Sequence, residues 1–127
     1  MNYGYKKQLK QEFPLAVIKV KEALLAEGFG VLTEINIKET LKNKLDVEFS
    51  EYIILGACNP EFAYKALQAE QEIGLFLPCN VIVYEKDESV YVSAIKPAVV
   101  MSMVENEVLS DIAQEVEDNL MKVIEMV

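Results

Sequence analysis

Two short segments hold the residues best suited to chemistry. Gly56-Ala57-Cys58-Asn59-Pro60 and Leu77-Pro78-Cys79-Asn80 contain both cysteines of the chain, and asparagine follows each cysteine. Each segment lies where an apolar run meets a structural break, a place where function is often carried. Asn59-Pro60-Glu61 reads as a helix start. Asn is a favoured N-cap, Pro fits the first helical position, and Glu complements the positive end of the helix dipole. Cys58 therefore precedes a helix N-terminus, where backbone N–H groups and the dipole favour an anion and can lower a thiol pKa. The same geometry can hold a carboxylate or phosphate. Asn59 can offer its amide to a ligand only where it is not occupied as the cap. The plainer role for Cys58 is a small thiol filling space beneath a capped helix, the commoner state of free cysteine.

Cys79 follows Pro78 and opens a strong β run. It is either a second thiol facing the first or a core residue at a strand start, with Asn80 satisfying a broken ladder. Two placements are open. A strand–helix–strand return sets the two strand ends at opposite edges of a sheet. Residues 74–78, if extended, span roughly 15 Å and can carry Cys79 back toward Cys58. Two cysteines 21 residues apart make a poor metal site. Closing one requires carboxylates or a second subunit's thiols, and the paired short spacings of zinc fingers are missing. The candidate ligand-binding set is thus Cys58, Asn59, Pro60, Pro78, Cys79 and Asn80. No catalytic residue, metal ligand or cofactor is assigned.

Composition excludes more than it suggests. The 127 residues contain no His, no Trp and no Arg, and all 12 positive side chains are Lys. Without His there is no Ser-His-Asp or Cys-His unit and no imidazole-based zinc site. Without Arg there is no bidentate fork for phosphate or guanine. The net charge of −9 repels a nucleic-acid backbone. Lys6, Lys7 and Lys10 are the densest basic patch and read as a solvated strand end. No apolar run reaches the roughly 20 residues of a membrane helix, and residues 1–25 lack a signal peptide's pattern. These features lead us to expect one cytoplasmic domain, 1–127, with reduced thiols. The 52% hydrophobic content leaves apolar surface to spare and favours a homodimer, with the long C-terminal helix as a candidate surface.

The elements that must position the two segments follow from spacing. Residues 2–9 read as a strand. Phe13, Val17, Val20 and Leu24 make one stripe of a helix over 14–27, closed by Gly28 at a positive-φ position. Residues 29–35 form a strand, and Asn36 with Glu39 suggests a capping box for a helix over 37–44. Residues 51–57 read as a strand buried on both faces. A helix from Pro60 buries Phe62, Ala63, Ala66, Leu67 and Ile73 and ends at Gly74. Pro78 marks an edge, a bulge or the true start of the next strand. A polar turn at 86–89 joins it to a hairpin partner over 90–95. The last helix, 106–126, buries Leu109, Ile112, Val116, Leu120, Val123 and Val127. Its outer face is acidic through Glu107, Asp111, Glu115, Glu117, Asp118 and Glu125. The fold class is α/β (α+β), with a mixed, mainly antiparallel sheet and helices packed on it.

Weaker leads lie elsewhere. Tyr52, Tyr64, Tyr84 and Tyr91 can donate hydrogen bonds, although Tyr84 and Tyr91 pairing across the hairpin is the commoner role. Glu85 can serve as a base only in a dry pocket. Met101, Met103, Met121 and Met126 offer either an adaptable contact surface or core filling.

Three stretches carry a family resemblance: residues 25–29 (Leu-Ala-Glu-Gly-Phe), 52–60 (Tyr-Ile-Ile-Leu-Gly-Ala-Cys-Asn-Pro) and 74–83 (Gly-Leu-Phe-Leu-Pro-Cys-Asn-Val-Ile-Val). On these the chain resembles domain-of-unknown-function family 302, from Phe13 to about Pro97. Its pattern maps onto Gly56, Cys58, Asn59, Pro60, Leu77, Pro78, Cys79 and Asn80. The resemblance implies a small bacterial or archaeal domain of TATA-binding-protein-like β-α-β(4)-α architecture with extra helices, and a tendency to homodimerise. It implies no established activity and no catalytic residues. Pro14 departs from the serine-containing helix start frequent in relatives, which concerns capping alone. The expected function is non-catalytic binding of a small ligand or protein partner in a cleft bordered by the two Cys-Asn segments. The alternative is a thiol-dependent role through Cys58 and Cys79: redox, sulfur handling or soft-metal binding. A third is an interaction module using the acidic C-terminal helix. Hydrolase or phosphoryl-transfer chemistry lacks its usual His, Arg and glycine-rich loop.

Overall fold

A computed structural model describes residues 2–127. Five strands, β1 (Gly4–Leu9), β2 (Gly30–Asn36), β3 (Tyr52–Cys58), β4 (Cys79–Lys86) and β5 (Ser89–Ile95), form one sheet in the order β1-β5-β4-β3-β2. Every neighbouring pair is antiparallel, so the sheet is not mixed. Five helices accompany it: α1 (Phe13–Ala26), α2 (Ile37–Leu45), α3 (Pro60–Ala69), the short α4 (Pro97–Val100) and α5 (Glu107–Met126).

Helix ends follow local chemistry. α1 stops in a Schellman motif: Gly28 sits at φ 84°, its N–H donates to Leu25 O, and Phe29 N–H donates to Leu24 O. The Asn36 side chain caps α2 by accepting from Glu39 N–H at 3.0 Å. Asn106 does the same for α5 through Leu109 N–H at 3.0 Å. Its Nδ2 also donates to Ala69 O at 2.9 Å, tying the start of α5 to the end of α3. At the other end of α5, Lys7 Nζ donates to Val127 O at 2.7 Å, a cation on the negative end of the dipole. Glu117, expected on the outer face, instead turns inward and accepts from Ala98 N–H at 3.1 Å, fixing α4 to α5.

Alternation along the strands sorts the sheet into two faces. Ile53, Leu55, Val81, Val83, Val90, Val92 and Ala94 are buried beneath α1 and α5. Phe13, Val17, Val20 and Leu24 of α1 and Val116, Leu120 and Val123 of α5 meet them. Ile112 and Val127 are only partly buried at the border of this core. β3 is therefore not buried on both faces. Tyr52 and Ile54 sit half-buried on the side away from α1 and α5. There Tyr52, Tyr84 and Tyr91 stack across three strands, with centroids 5.5 and 5.4 Å apart.

The region after α3 also differs from the spacing-based expectation. The helix ends at Ala69, not Gly74. Glu70 is extended, and its carboxylate accepts from Glu72 N–H to start a separate 3-10 turn over Gln71–Phe76. Gly74 lies inside that turn. Ile73 is buried as expected, but Leu67 is 42% exposed. Ile73 joins Ala66, Met101, Leu109 and Ala113 in a second, smaller core between α3 and the first half of α5.

The two asparagine caps should differ in worth. Asn106→Ala removes a cap and orphans the Ala69 carbonyl, a loss of about 2 kcal/mol, against about 1 kcal/mol for the exposed cap in Asn36→Ala. Urea unfolding of the two variants measures this, and equal losses would show that the Asn106–Ala69 tie is idle.

Candidate functional site

The β3–β4 register brings the two cysteine segments together. Ala57 pairs with Cys79 and Gly56 with Asn80, so Cys58, the last residue of β3, lies beside the first residue of β4. α3 and the 3-10 turn leave the sheet after Cys58 and return the chain to the neighbouring position, not to an opposite edge. Pro78 marks the true start of β4, and the Leu77–Pro78 peptide is cis.

On the helix side these segments close one end of an apolar cavity of about 30 Å³. Cys58, Asn59 and Cys79 contribute to its wall, together with Phe29, Phe62 of α3 and Met101 after α4. Ala66 of α3 and Ala113 of α5 form part of its wall. Such a space admits one or two water-sized groups. Asn59 is the one carboxamide in a lining otherwise made of carbon and sulfur. Its Oδ1 is engaged as the α3 cap, accepting from Glu61 N–H at 3.2 Å and Phe62 N–H at 3.4 Å. Nδ2 lies against Gly28, where a Cβ would stand 3.1 Å from it. The oxygen is thus structural.

The other predicted site residues do not join this cavity. Asn80 is one residue past Cys79, so it points to the opposite face and is exposed. Pro78 reaches toward that face as well: a Cβ on Gly56 would come within 2.8 Å of its ring and would collide with Thr33 Oγ1. Gly56 is therefore a close-packing glycine beneath Thr33 and Pro78. Pro60 is exposed on the first turn of α3. The cleft of two complete Cys-Asn pairs is accordingly halved.

Several further leads resolve the same way. Glu85 sits at the far end of β4, in a solvent-open groove with Glu51 and Glu88, not in a dry pocket. Tyr64 is 66% exposed. The four methionines do not form one cluster: Met101 is buried in the cavity wall, Met103 is exposed, and Met121 and Met126 border a separate groove on α5. Lys6 and Lys7 part to opposite faces, Lys6 lying over the Tyr91 ring at 5.2 Å. The residues missed by the sequence reading are the apolar wall groups. Their helical stripes marked them as core, and nothing local marks which core positions border a void.

Both thiols are free, Cys58 half-buried and Cys79 buried. Burial pushes both thiol pKa values up; Cys79 reaches about 11, with a smaller contribution from the neighbouring Cys58. The helix N-terminus does not offset the loss of solvent. Neutral thiols are poor nucleophiles and poor metal ligands. Among the described residues, no three Cys, Asp or Glu side chains gather in a group that could hold a metal ion.

Residues 5–127 match the family described as "Domain of unknown function DUF302". The chain belongs to the DUF302 family. A crystal structure of an uncharacterized conserved protein DUF302 from Bacillus stearothermophilus has the same fold. Its TM-score is 0.93 at 28% identity, over 99% of this chain and 98% of that one. No curated protein matches the chain. Membership in DUF302 brings no activity with it, so function must be read from the cavity. Among the described residues, no helix is long and apolar enough to cross a membrane.

Two measurements test this description of the site. Asn59→Ala should cost about 1 kcal/mol through the lost cap, and Asn59→Asp should restore most of it. An Asp variant as unstable as the Ala variant would place the value of Asn59 elsewhere. The second concerns pH. Because the folded state holds Cys79 protonated to about pH 11, against 9.0 for a free thiol, the unfolded chain loses its proton first. This contribution, on the order of 2 kcal/mol, is complete below pH 9 and is lost as pH rises toward 11. The difference in unfolding free energy between the native chain and Cys79→Ala should therefore fall across that window. A constant difference would contradict it.

Proposed function

We propose that this DUF302 domain is a non-catalytic, homodimeric binding module that takes the apolar end of a small molecule into the cavity between β3, β4, α3 and α5. The observation that carries this is the apolar cavity itself, walled by Cys58 and Cys79 with the Asn59 amide at its edge. A lining of alkyl, aryl and sulfur atoms favours a hydrocarbon group, and a single amide suits a carbonyl or hydroxyl oxygen beside it. The free volume of about 30 Å³ limits the occupant to a short alkyl end unless Met101, an adaptable side chain, moves aside. Setting aside α2, α3 and α4, the order is β-α-β(4)-α, and we take the architecture as TATA-binding-protein-like. DNA binding does not come with it, since the chain carries −9 and lacks Arg. Thiol chemistry is disfavoured by the raised pKa of both cysteines.

Amide chemical-shift mapping with n-butanol tests the proposal. Shifts should centre on Phe62, Ala66, Met101 and Ala113. They should vanish in Ala63→Met, which fills the cavity from its rim with a flexible chain. Shifts scattered over the surface, or unchanged in the filled variant, would reject the cavity as a binding site.

A further inference from the structure

Among the described residues, the rows of side chains on the sheet face away from α1 and α5 are half-buried or exposed, with none fully buried. Register places Ile35, Ile54, Ile82 and Ser93 in one row across β2, β3, β4 and β5. Tyr52, Tyr84 and Tyr91 form the adjacent row. No charged residue stands in either row on β2 to β5, in a chain where 26% of residues are charged. Lys6 on β1 is the first charge met at the margin, opposite Ser93. The patch continues beyond the strands. The Phe49 ring lies 6.3 Å from Tyr52, and Leu45 and Val47, earlier in the same β2–β3 connection, are 67% and 44% exposed. α2, nine residues long, buries none of its side chains. A helix so short is marginal without tertiary packing.

We infer that this face is the contact surface of the homodimer, covered by the same face of a second copy of the chain. The placement rests on the homodimer reading above and adds to it the surface. Two quantities point to a second copy. A folded monomer of 14.3 kDa exposes about 6,800 Å². This chain exposes 7828 Å², a surplus of roughly 1,000 Å². A standard interface removes about 800 Å² from each partner, so the surplus matches one half of one interface. Charge supplies the other reason. Two copies each carrying −9 repel wherever their acidic faces meet, and α5 turns Glu107, Asp111 and Glu115 outward. The uncharged rows permit a like-charged partner to approach, whereas a basic partner would be drawn to α5. Face-to-face packing of two sheets sets them about 10 Å apart, and a two-fold axis sets this patch against the same patch of the second copy. Tyrosine, which combines a large apolar ring with a polar tip, suits such a contact.

Native mass spectrometry of the full chain and three variants tests the assignment. The native chain should be a dimer. Ile82→Lys places a charge from each copy inside the uncharged contact and should raise the dimer dissociation constant by on the order of 100-fold. Phe49→Asp, outside the strands, should weaken the dimer in the same direction while leaving circular dichroism unchanged. It decides the matter should Ile82→Lys fail to fold. Ile18→Lys, in the exposed Leu15, Ile18 and Leu25 stripe of α1, should leave the dimer intact. A monomeric native chain overturns the homodimer reading and this surface together. A dimer that survives Ile82→Lys and Phe49→Asp, or that Ile18→Lys dissolves, overturns the surface and leaves the homodimer standing.

Discussion

The pairing of β3 with β4 governs where each chemically notable side chain is placed. With Ala57 opposite Cys79, the two-residue period sends Cys79, Val81 and Val83 under the helices and Asn80, Ile82 and Tyr84 to the other side. A shift of one residue would exchange the two sets and place valines in water. The burial of Val81 and Val83 thus holds Cys79 in the cavity and Asn80 out of it. Gly56 reinforces the same register. No side chain fits beneath Thr33 and Pro78, so only glycine permits this approach opposite Asn80.

That register explains which parts of the protein are legible in its sequence. Local signals were reliable where they determine the outcome. Asn59-Pro60-Glu61, Asn36 with Glu39, and Gly28 each cap or close a helix where spacing placed them. The stripe of α1 and most of the stripe of α5 were legible for the same reason. Long-range relations were not. Nothing in residues 59–78 states that α3 and its 3-10 turn lead back to a strand neighbouring β3, because that is decided by the core they share with α5. The apolar run of β3 was equally ambiguous. A run of Ile, Leu and Ala fits a strand covered on both sides, and also one whose second side stays half-buried.

The cysteines show how a local motif can mislead about chemistry. A thiol before a helix N-terminus is a recognised route to a thiolate. Here desolvation outweighs it, because the cap oxygen of Asn59 already satisfies the first N–H groups and the cavity around the sulfurs is apolar. Cys79 acts as a small hydrophobe at the seam of sheet and helices. Cys58 links that seam to the mouth of the cavity. The shared Cys-Asn pattern arises from two unrelated needs: Asn59 caps a helix, while Asn80 is a ladder residue on the far face.

The two faces of the sheet consequently serve opposite purposes with the same backbone. The helix side is filled except for a small void, and its polar atoms are used in capping. Across the sheet, ordered Ile and Tyr rows remain without a helix over them. Reserving one face for α1 and α5 allows a 127-residue chain to build a continuous core from short strands. It also leaves aromatic surface that a monomer would be expected to replace with charge. The tyrosines stack on one another and keep their rings aligned across β3, β4 and β5, so their side-chain freedom is already restricted. A preordered face of this kind lowers the entropic cost of association. Cavity and sheet face are separated by the thickness of one sheet. The strand that sets Cys79 in the cavity wall also carries Ile82 and Tyr84 on its outer side, so one backbone positions both surfaces.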